Sequence, residues 1–202
     1  MGSRIMHLVI ANRIAEQLSI EDRTAFLLGG IAPDAVSPKD LSHFFEGDVD
    51  DYSRSIDYDR FLDKYSSNAG SHYLLGYYTH LIADDIWLKG FYLPWLKNRM
   101  EADEDLFYSY HNDFRLLNGK LLEYYGHNAE LRNNLRNGAA IFDLQEVKSS
   151  DVEDFIPYVL GDMDYDMEVL EEELNVFTLK QIIGYVETSV DMSVLKMKPI
   201  FT

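Results

Sequence analysis

The segment at residues 71–90, SHYLLGYYTHLIADDIWLKG, constrains the fold more than any other, because it sets ionisable groups in an apolar stretch long enough for about five helical turns. His80 and Asp84 stand four residues apart, so on a helix both project from one face with Cβ atoms roughly 5–6 Å apart. Gly76, one turn earlier on that face, leaves room for something other than a side chain. Leu74, Leu75, Tyr78, Leu81, Ile82 and Ile86 cover the other sides, which turns the polar pair toward a protein interior. Buried imidazole and carboxylate groups need partners. Two readings fit the pair: a core histidine satisfied by a carboxylate, or two ligands of one metal ion, spaced like the histidines of H-E-x-x-H. With 6 His and 35 acidic residues in 202, chance supplies about one H-x3-[DE] match, so the pair needs support from elsewhere.

The rest of the chain reads as helices. Residues 4–18 carry Ile5, Leu8, Val9, Ala11, Ile14, Ala15 and Leu18 at helical spacing, with His7 among them. Ser19 through Asp22 predicts an N-cap and acidic first turn for a helix that should stop at Pro33, since the residue before proline is pushed out of helical geometry. Asp34 then lies on a bend. Residues 37–57 predict a long loop, ordered because His43, Phe44 and Phe45 would make an exposed apolar patch otherwise. A short helix near 58–66 and the long helix ended by Pro94 follow. Further helices are expected at 101–126, with a bend at Asn118-Gly119, at 127–138, at 150–174 from a capping box at Ser150 and Glu153, and at 177–196. No alternating strand pattern occurs. The expectation is one all-α domain over 1–202 with seven or eight helices, the polar motifs lying in 1–90 and the helices of 101–196 completing the core.

Charge and composition narrow the chemistry. A formal net charge of −17 repels phosphate backbones and anionic membranes, so no nucleic-acid partner is expected. The field still admits a small anion where a local cation reverses it. Without Cys, any metal must take nitrogen and oxygen ligands, which suits zinc, manganese or iron. No run is long and apolar enough to span a bilayer and the N-terminal stretch has no cleavage site of the secretory kind, so the chain reads as cytoplasmic.

His7, Asp34 and His43 each have a plain structural explanation, as a partly exposed residue, a turn residue and a packed loop residue. Taken with His80 and Asp84, they make three His and two Asp supplied by separate elements. That pattern describes a metal site with open positions for catalysis.

In order along the chain, a His in the first helix, GGIAPD, SHFF and GYYTHLIAD together resemble the zinc-dependent phospholipase C superfamily, which also includes single-strand-specific nucleases. The resemblance covers roughly residues 1–90. It implies an all-helical fold in which Asp34, His43, His80 and Asp84 hold one zinc, while His7 holds a second ion bridged through Asp84. It further implies hydrolysis of a phosphodiester by metal-generated hydroxide, with Asp34 as general base. Paired cations suit such a reaction, since they stabilise a pentavalent phosphoryl transition state and acidify water.

The chain departs from the family in two places. Secreted members complete the second-ion site with the amine of a processed N-terminus. The family's later His and His-x3-Glu ligands to a third ion have no clean counterpart: His111 has Arg115 four residues on, and His127 follows Gly126 at a helix boundary. The expected site therefore holds one or two ions, with His111 as a possible extra ligand. Phe44 and Tyr77 are the residues proposed to line a substrate cleft, although most aromatics here, Tyr73, Tyr78, Trp87, Tyr108 and Tyr110 included, are expected in the core. The expected function is hydrolysis of a small phosphate ester or other ester. The alternative is a non-catalytic helical protein whose five residues form a buried polar network.

Overall fold

The first helix, α1 (Arg4–Gln17), begins where Ser3, in extended backbone, accepts the Met6 N–H at 3.1 Å, satisfying one of the orphan amides of the first turn. The computed structural model describes residues 3–68 and 70–200. Spacing predicts an amphipathic α1, but it is buried on nearly every side, His7 and Asn12 included. The cause is tertiary: α1 packs against α2 (Arg23–Ile31), α4 (His72–Trp87), α6 (Glu104–Tyr125), α8 (Ser149–Asp162) and α9 (Leu179–Met197), which leaves little of its surface for solvent.

Asp22 caps α2 by accepting the Ala25 N–H at 3.0 Å. Ser19, expected to cap it, sits at φ 51° in a left-handed turn. The proline stop appears as a tightened end: α2 closes at Ile31, and Ala32–Ala35 forms one 3-10 turn that carries Pro33 and Asp34. The loop that follows is ordered around a hairpin of two-residue strands, β1 (Phe45–Glu46) and β2 (Ser55–Ile56), paired antiparallel. It is tied to α4 through the Ile56 N–H, which donates to the Asp85 carboxylate at 3.3 Å. The short helix α3 (Tyr58–Lys64) starts at Asp57, which accepts the Arg60 N–H.

Pro94 does not end the long helix. After Trp87 the rod continues through a π-helical segment, Leu88–Leu96, with Pro94 inside it, and then α5 (Lys97–Ala102). A proline ring in an α register clashes with the carbonyl four residues back and removes a hydrogen bond. The wider π register moves that carbonyl aside and lets the helix continue, although Pro94 still donates no hydrogen bond. Helix α6 likewise runs unbroken through Asn118-Gly119, and Gly119 serves packing: a Cβ there would meet the Tyr165 ring at 2.8 Å.

After α7 (Asn128–Asn137), helix α8 is shorter than expected, ending at Asp162. Its first turn is held by Asp151, whose carboxylate accepts the Lys148 N–H at 2.8 Å, rather than by Ser150 and Glu153. Helix α9 is capped by Thr178 and Gln181. With α4, its π extension and α5 counted as one rod, the described residues hold eight helices and one minimal hairpin, an all-α protein. One buried cluster of apolar side chains extends from Ile5 to Met197. No described helix is long and apolar enough to cross a membrane.

Helices α2 and α4 make the closest crossing. An added Cβ on Gly76 would stand 2.0 Å from the Phe26 carbonyl oxygen, and one on Gly29 would stand 2.0 Å from that of Tyr73. The space left by Gly76 is thus filled by the backbone of α2. Backbone-to-backbone approach brings the end of α2, with Asp34 just beyond it, beside the face of α4 that bears His80 and Asp84.

Candidate metal centre

All five residues singled out from the sequence meet in one place: His7 from α1, Asp34 from the 3-10 turn, His43 from the loop, and His80 and Asp84 from α4. Their ligand atoms form two overlapping groups that could hold a metal ion, His7 with Asp34 and His80, and His43 with His80 and Asp84. Asp84, wholly buried, sits at the centre. Its Oδ1 lies 3.3 Å from Nε2 of His7, while Oδ2 lies 3.2 Å from Nε2 of His43 and 3.6 Å from that of His80. One carboxylate thus divides three histidines between its two oxygens. Asp34 adds an oxygen 3.5 Å from His43 Nε2.

The outer partners fix which ring atoms face inward. Nδ1 of His80 lies 2.8 Å from the Gly30 carbonyl oxygen, which can only accept, so the proton is on Nδ1 and the Nε2 lone pair points at the cluster. His43 is set the same way. Ser42 Oγ donates to the Pro33 carbonyl at 2.9 Å and lies 3.0 Å from His43 Nδ1, so it accepts from that nitrogen, and the Lys39 carbonyl lies 3.2 Å from it. The Nε2 atoms of His43 and His80 then come within 3.3 Å of each other. His7 stacks on His80 at 3.7 Å between ring centroids, and neither of its ring nitrogens has a hydrogen bond despite full burial. The oxygens of Asp84 and the inward ring nitrogens of His7, His43 and His80 converge here.

That arrangement is the test of whether a divalent ion fits, and it fits. Donors at bond lengths of about 2.1 Å around a tetrahedral ion are separated by about 3.4 Å, and the separations given above run from 3.2 to 3.6 Å. The nitrogen and oxygen donors suit zinc, manganese or iron.

Electrostatics agree with the geometry. Burial pushes the Asp84 carboxyl up, yet the group is held well below the usual carboxylate range, with the charge of His7 and the hydrogen bonds of His43 and His7 among the causes. Asp34 is likewise held well below that range against its burial, chiefly by the hydrogen bond with His43 and the charges of His80 and Lys39. His80 is depressed to about 4, by burial first and then by His7 beside it. His43 is raised in spite of burial, because Asp34 and Asp84 both hydrogen-bond its ring.

Three residues expected near the site have other places. His111 is exposed on α6, its ring edge-on to Phe107 at 4.4 Å, and joins neither group of ligand atoms. Arg115 is one turn away on the same helix, so no carboxylate holds His111 inward. Phe44 is a core residue packed edge-on against Phe61. Its neighbour Phe45 is the one that stacks on His43, at 5.4 Å. Tyr77 is fully buried and its hydroxyl donates to the Ser42 carbonyl at 2.6 Å, bracing the loop behind His43. Tyr108 is mostly exposed, outside the aromatic core.

Sequence reasoning missed the parts that act through backbone or through distance: the Gly30 carbonyl, Ser42, and Lys39, whose ammonium ion-pairs with Asp34. A loop lysine carries no signal that separates it from a solvated one. Beside Asp34 opens a cleft of about 520 Å³, lined by residues from α1, the 3-10 turn, α6 and α8.

The fold and site together describe an all-α protein with a buried His–Asp cluster able to hold a divalent ion. Compared with models of protein families, with characterised proteins and with solved structures, the chain matches none.

Proposed function

We propose that the protein is a metal-dependent hydrolase of a phosphate ester, similar in its ligand order to the zinc-dependent phospholipase C superfamily. The observation that carries this reading is the convergence of three buried imidazoles and two carboxylates at separations suited to an ion. His43, His80, Asp34 and Asp84 would hold one zinc, and His7, on the opposite oxygen of Asp84, would serve a second. A divalent ion there supplies polarisation of a phosphoryl oxygen and acidification of water. Asp84 is sealed from solvent and orients the histidines. Asp34 is the one carboxylate of the cluster that also lines the cleft. Ionised throughout the neutral range, it can accept a proton from water entering beside the ester. Gly30 and Ser42 keep His80 and His43 turned inward.

The test is metal analysis of protein purified without chelator. Wild type should carry at least about one zinc, manganese or iron per chain, and His80→Ala much less than one. A wild type with no stoichiometric metal would end this reading.

The proton inventory makes a second prediction. At neutral pH His80 is already the neutral imidazole, so no proton must leave it for an incoming ion, whereas His43 must release the proton on Nε2. Zinc affinity should therefore fall as pH drops through the neighbourhood of the raised His43 value, by about tenfold per unit. A further loss from His80 should begin only near pH 4. Competition titrations with a chromogenic chelator between pH 8 and 5 measure this, and a flat profile would contradict it.

The non-catalytic alternative is favoured by one observation: Lys39 already places a positive charge on Asp34. On that reading the cluster is a satisfied polar network, and substitution of His43 should cost stability with metal content unchanged.

A further inference from the structure

We infer that the cleft beside Asp34 binds a small, soluble phosphate ester whose organic part carries a hydroxyl, with Arg4, Lys39 and Arg115 receiving the phosphate and Asn118 reading the hydroxyl. The inference deepens the proposed function and rests on it only in supposing that the bound ester is hydrolysed.

Charge is the first argument. The protein as a whole carries −17, yet at this cleft three cations, Arg4, Lys39 and Arg115, balance the three carboxylates that pair with them, Asp162, Asp34 and Glu172. A locally neutral cleft rich in N–H donors escapes the repulsion that the rest of an acidic protein exerts on an anion. The cations are also pre-positioned. Arg4 is held by Asp162 at 2.6 Å, Lys39 by Asp34, and Arg115 by Asn112 at 3.2 Å and Glu172 at 3.5 Å. A guanidinium has five N–H donors in a planar fork, so both arginines keep donors for a phosphate after these contacts are made.

The second argument is independent of charge. Asn118, on the α6 wall of the cleft, is 8% exposed, and its amide oxygen is buried with no hydrogen-bond partner. Leaving a buried acceptor unmade is costly, and the neighbouring lining side chains Phe114 and Phe155 cannot donate. A ligand hydroxyl would supply the missing donor, while the two phenylalanines flank its carbon skeleton. Volume agrees, because about 520 Å³ is in the range of pockets for small ligands.

The test uses the full chain, both chelator-stripped and zinc-loaded, titrated calorimetrically with inorganic phosphate and with glycerol 1-phosphate. Both probes should bind, the glycerol ester more tightly. Arg115→Ala should weaken both by about tenfold, the loss of one charge-assisted contact. Asn118→Leu should leave phosphate affinity unchanged and abolish the advantage of the glycerol ester. Because Asn118→Leu removes an unsatisfied acceptor, its Tm should stay level or rise, which separates recognition from misfolding. Failure of phosphate to bind, or indifference to Arg115→Ala, would overturn the inference. Co-sedimentation with phosphatidic acid vesicles in place of glycerol phosphate binding would overturn the soluble ester. Metal content keeps the two proposals apart. Phosphate binding sensitive to Arg115→Ala in a protein that takes up no metal would sink the hydrolase and spare the cleft, and stoichiometric zinc without phosphate binding would do the reverse.

Discussion

Gly76→Ala is expected to lower stability by about 3 kcal/mol or more, and Tm by about 10 °C. The added methyl would fall 2.0 Å from the Phe26 carbonyl oxygen and 2.9 Å from its carbon. Those are backbone atoms in the middle of α2, which cannot step aside as the end of a flexible side chain can. Relief requires α2 and α4 to separate, and that separation opens the core where Phe26, Leu27 and Tyr77 are fully buried. It also withdraws the Gly30 carbonyl from His80 Nδ1, so the variant should lose metal affinity in whatever fraction still folds. Gly184→Ala, on α9 with open space around the new Cβ, is the matched control. It should gain up to about 1 kcal/mol from helix propensity alone. Urea titrations of the three proteins decide the matter, and a Gly76→Ala midpoint equal to wild type would show that the α2–α4 crossing is not held by backbone contact.

Asp84→Asn is expected to weaken zinc binding by at least about a hundredfold while leaving the shape of the site intact. The amide is nearly isosteric but carries no charge, and one of its two polar atoms is a donor that cannot face a cation. Asp84 is the group shared by His7 on one oxygen and by His43 and His80 on the other, so no other residue can take over its position. The readout is thermal. Saturating wild type with zinc at a hundred times its Kd should add about 2.7 kcal/mol to the stability, and the same zinc concentration should add about 0.4 kcal/mol or less to Asp84→Asn. Equal zinc-induced shifts in both proteins would remove Asp84 from the ligand set.

Much of the site was legible in the sequence because its residues interrupt patterns. His7 breaks an apolar helix face, and His80 with Asp84 breaks another at a spacing that puts both on one side. Asp34 follows a proline stop, and His43 sits among aromatics in a loop. The helices were legible for the same reason, since apolar spacing reports a helix wherever one face is buried. Boundaries failed where a local rule met a larger one. Pro94 was accommodated by a π register, α8 stopped at Asp162, and α1 was buried all round because five helices surround it.

His111 shows the limit from the other side. As a residue type it qualifies as a ligand, but the rotation of α6 points it outward beside Phe107. Phe44 and Phe45 are adjacent and chemically identical, and only the loop's path, with Phe44 at φ 52°, decides which one meets His43. Periodicity is local and can place a residue on a face of its own helix. It carries no information on how far that helix is turned against its neighbours.

The sequence by itself determined the all-α class, the pairing of His80 with Asp84 on one helix face, and a restriction to nitrogen and oxygen ligands in a strongly acidic molecule. Tertiary structure alone decided that Gly76 and Gly29 let α2 and α4 touch backbone to backbone. That contact put the Gly30 carbonyl on His80 and drew Asp34, His43 and His7 around Asp84. It also gathered Arg4, Lys39, and the α6 pair Arg115 and Asn118, from three separate parts of the chain, around one cleft. Spacing along a helix fixes angles within a few residues, whereas convergence across dozens of residues depends on how closely two backbones can pack.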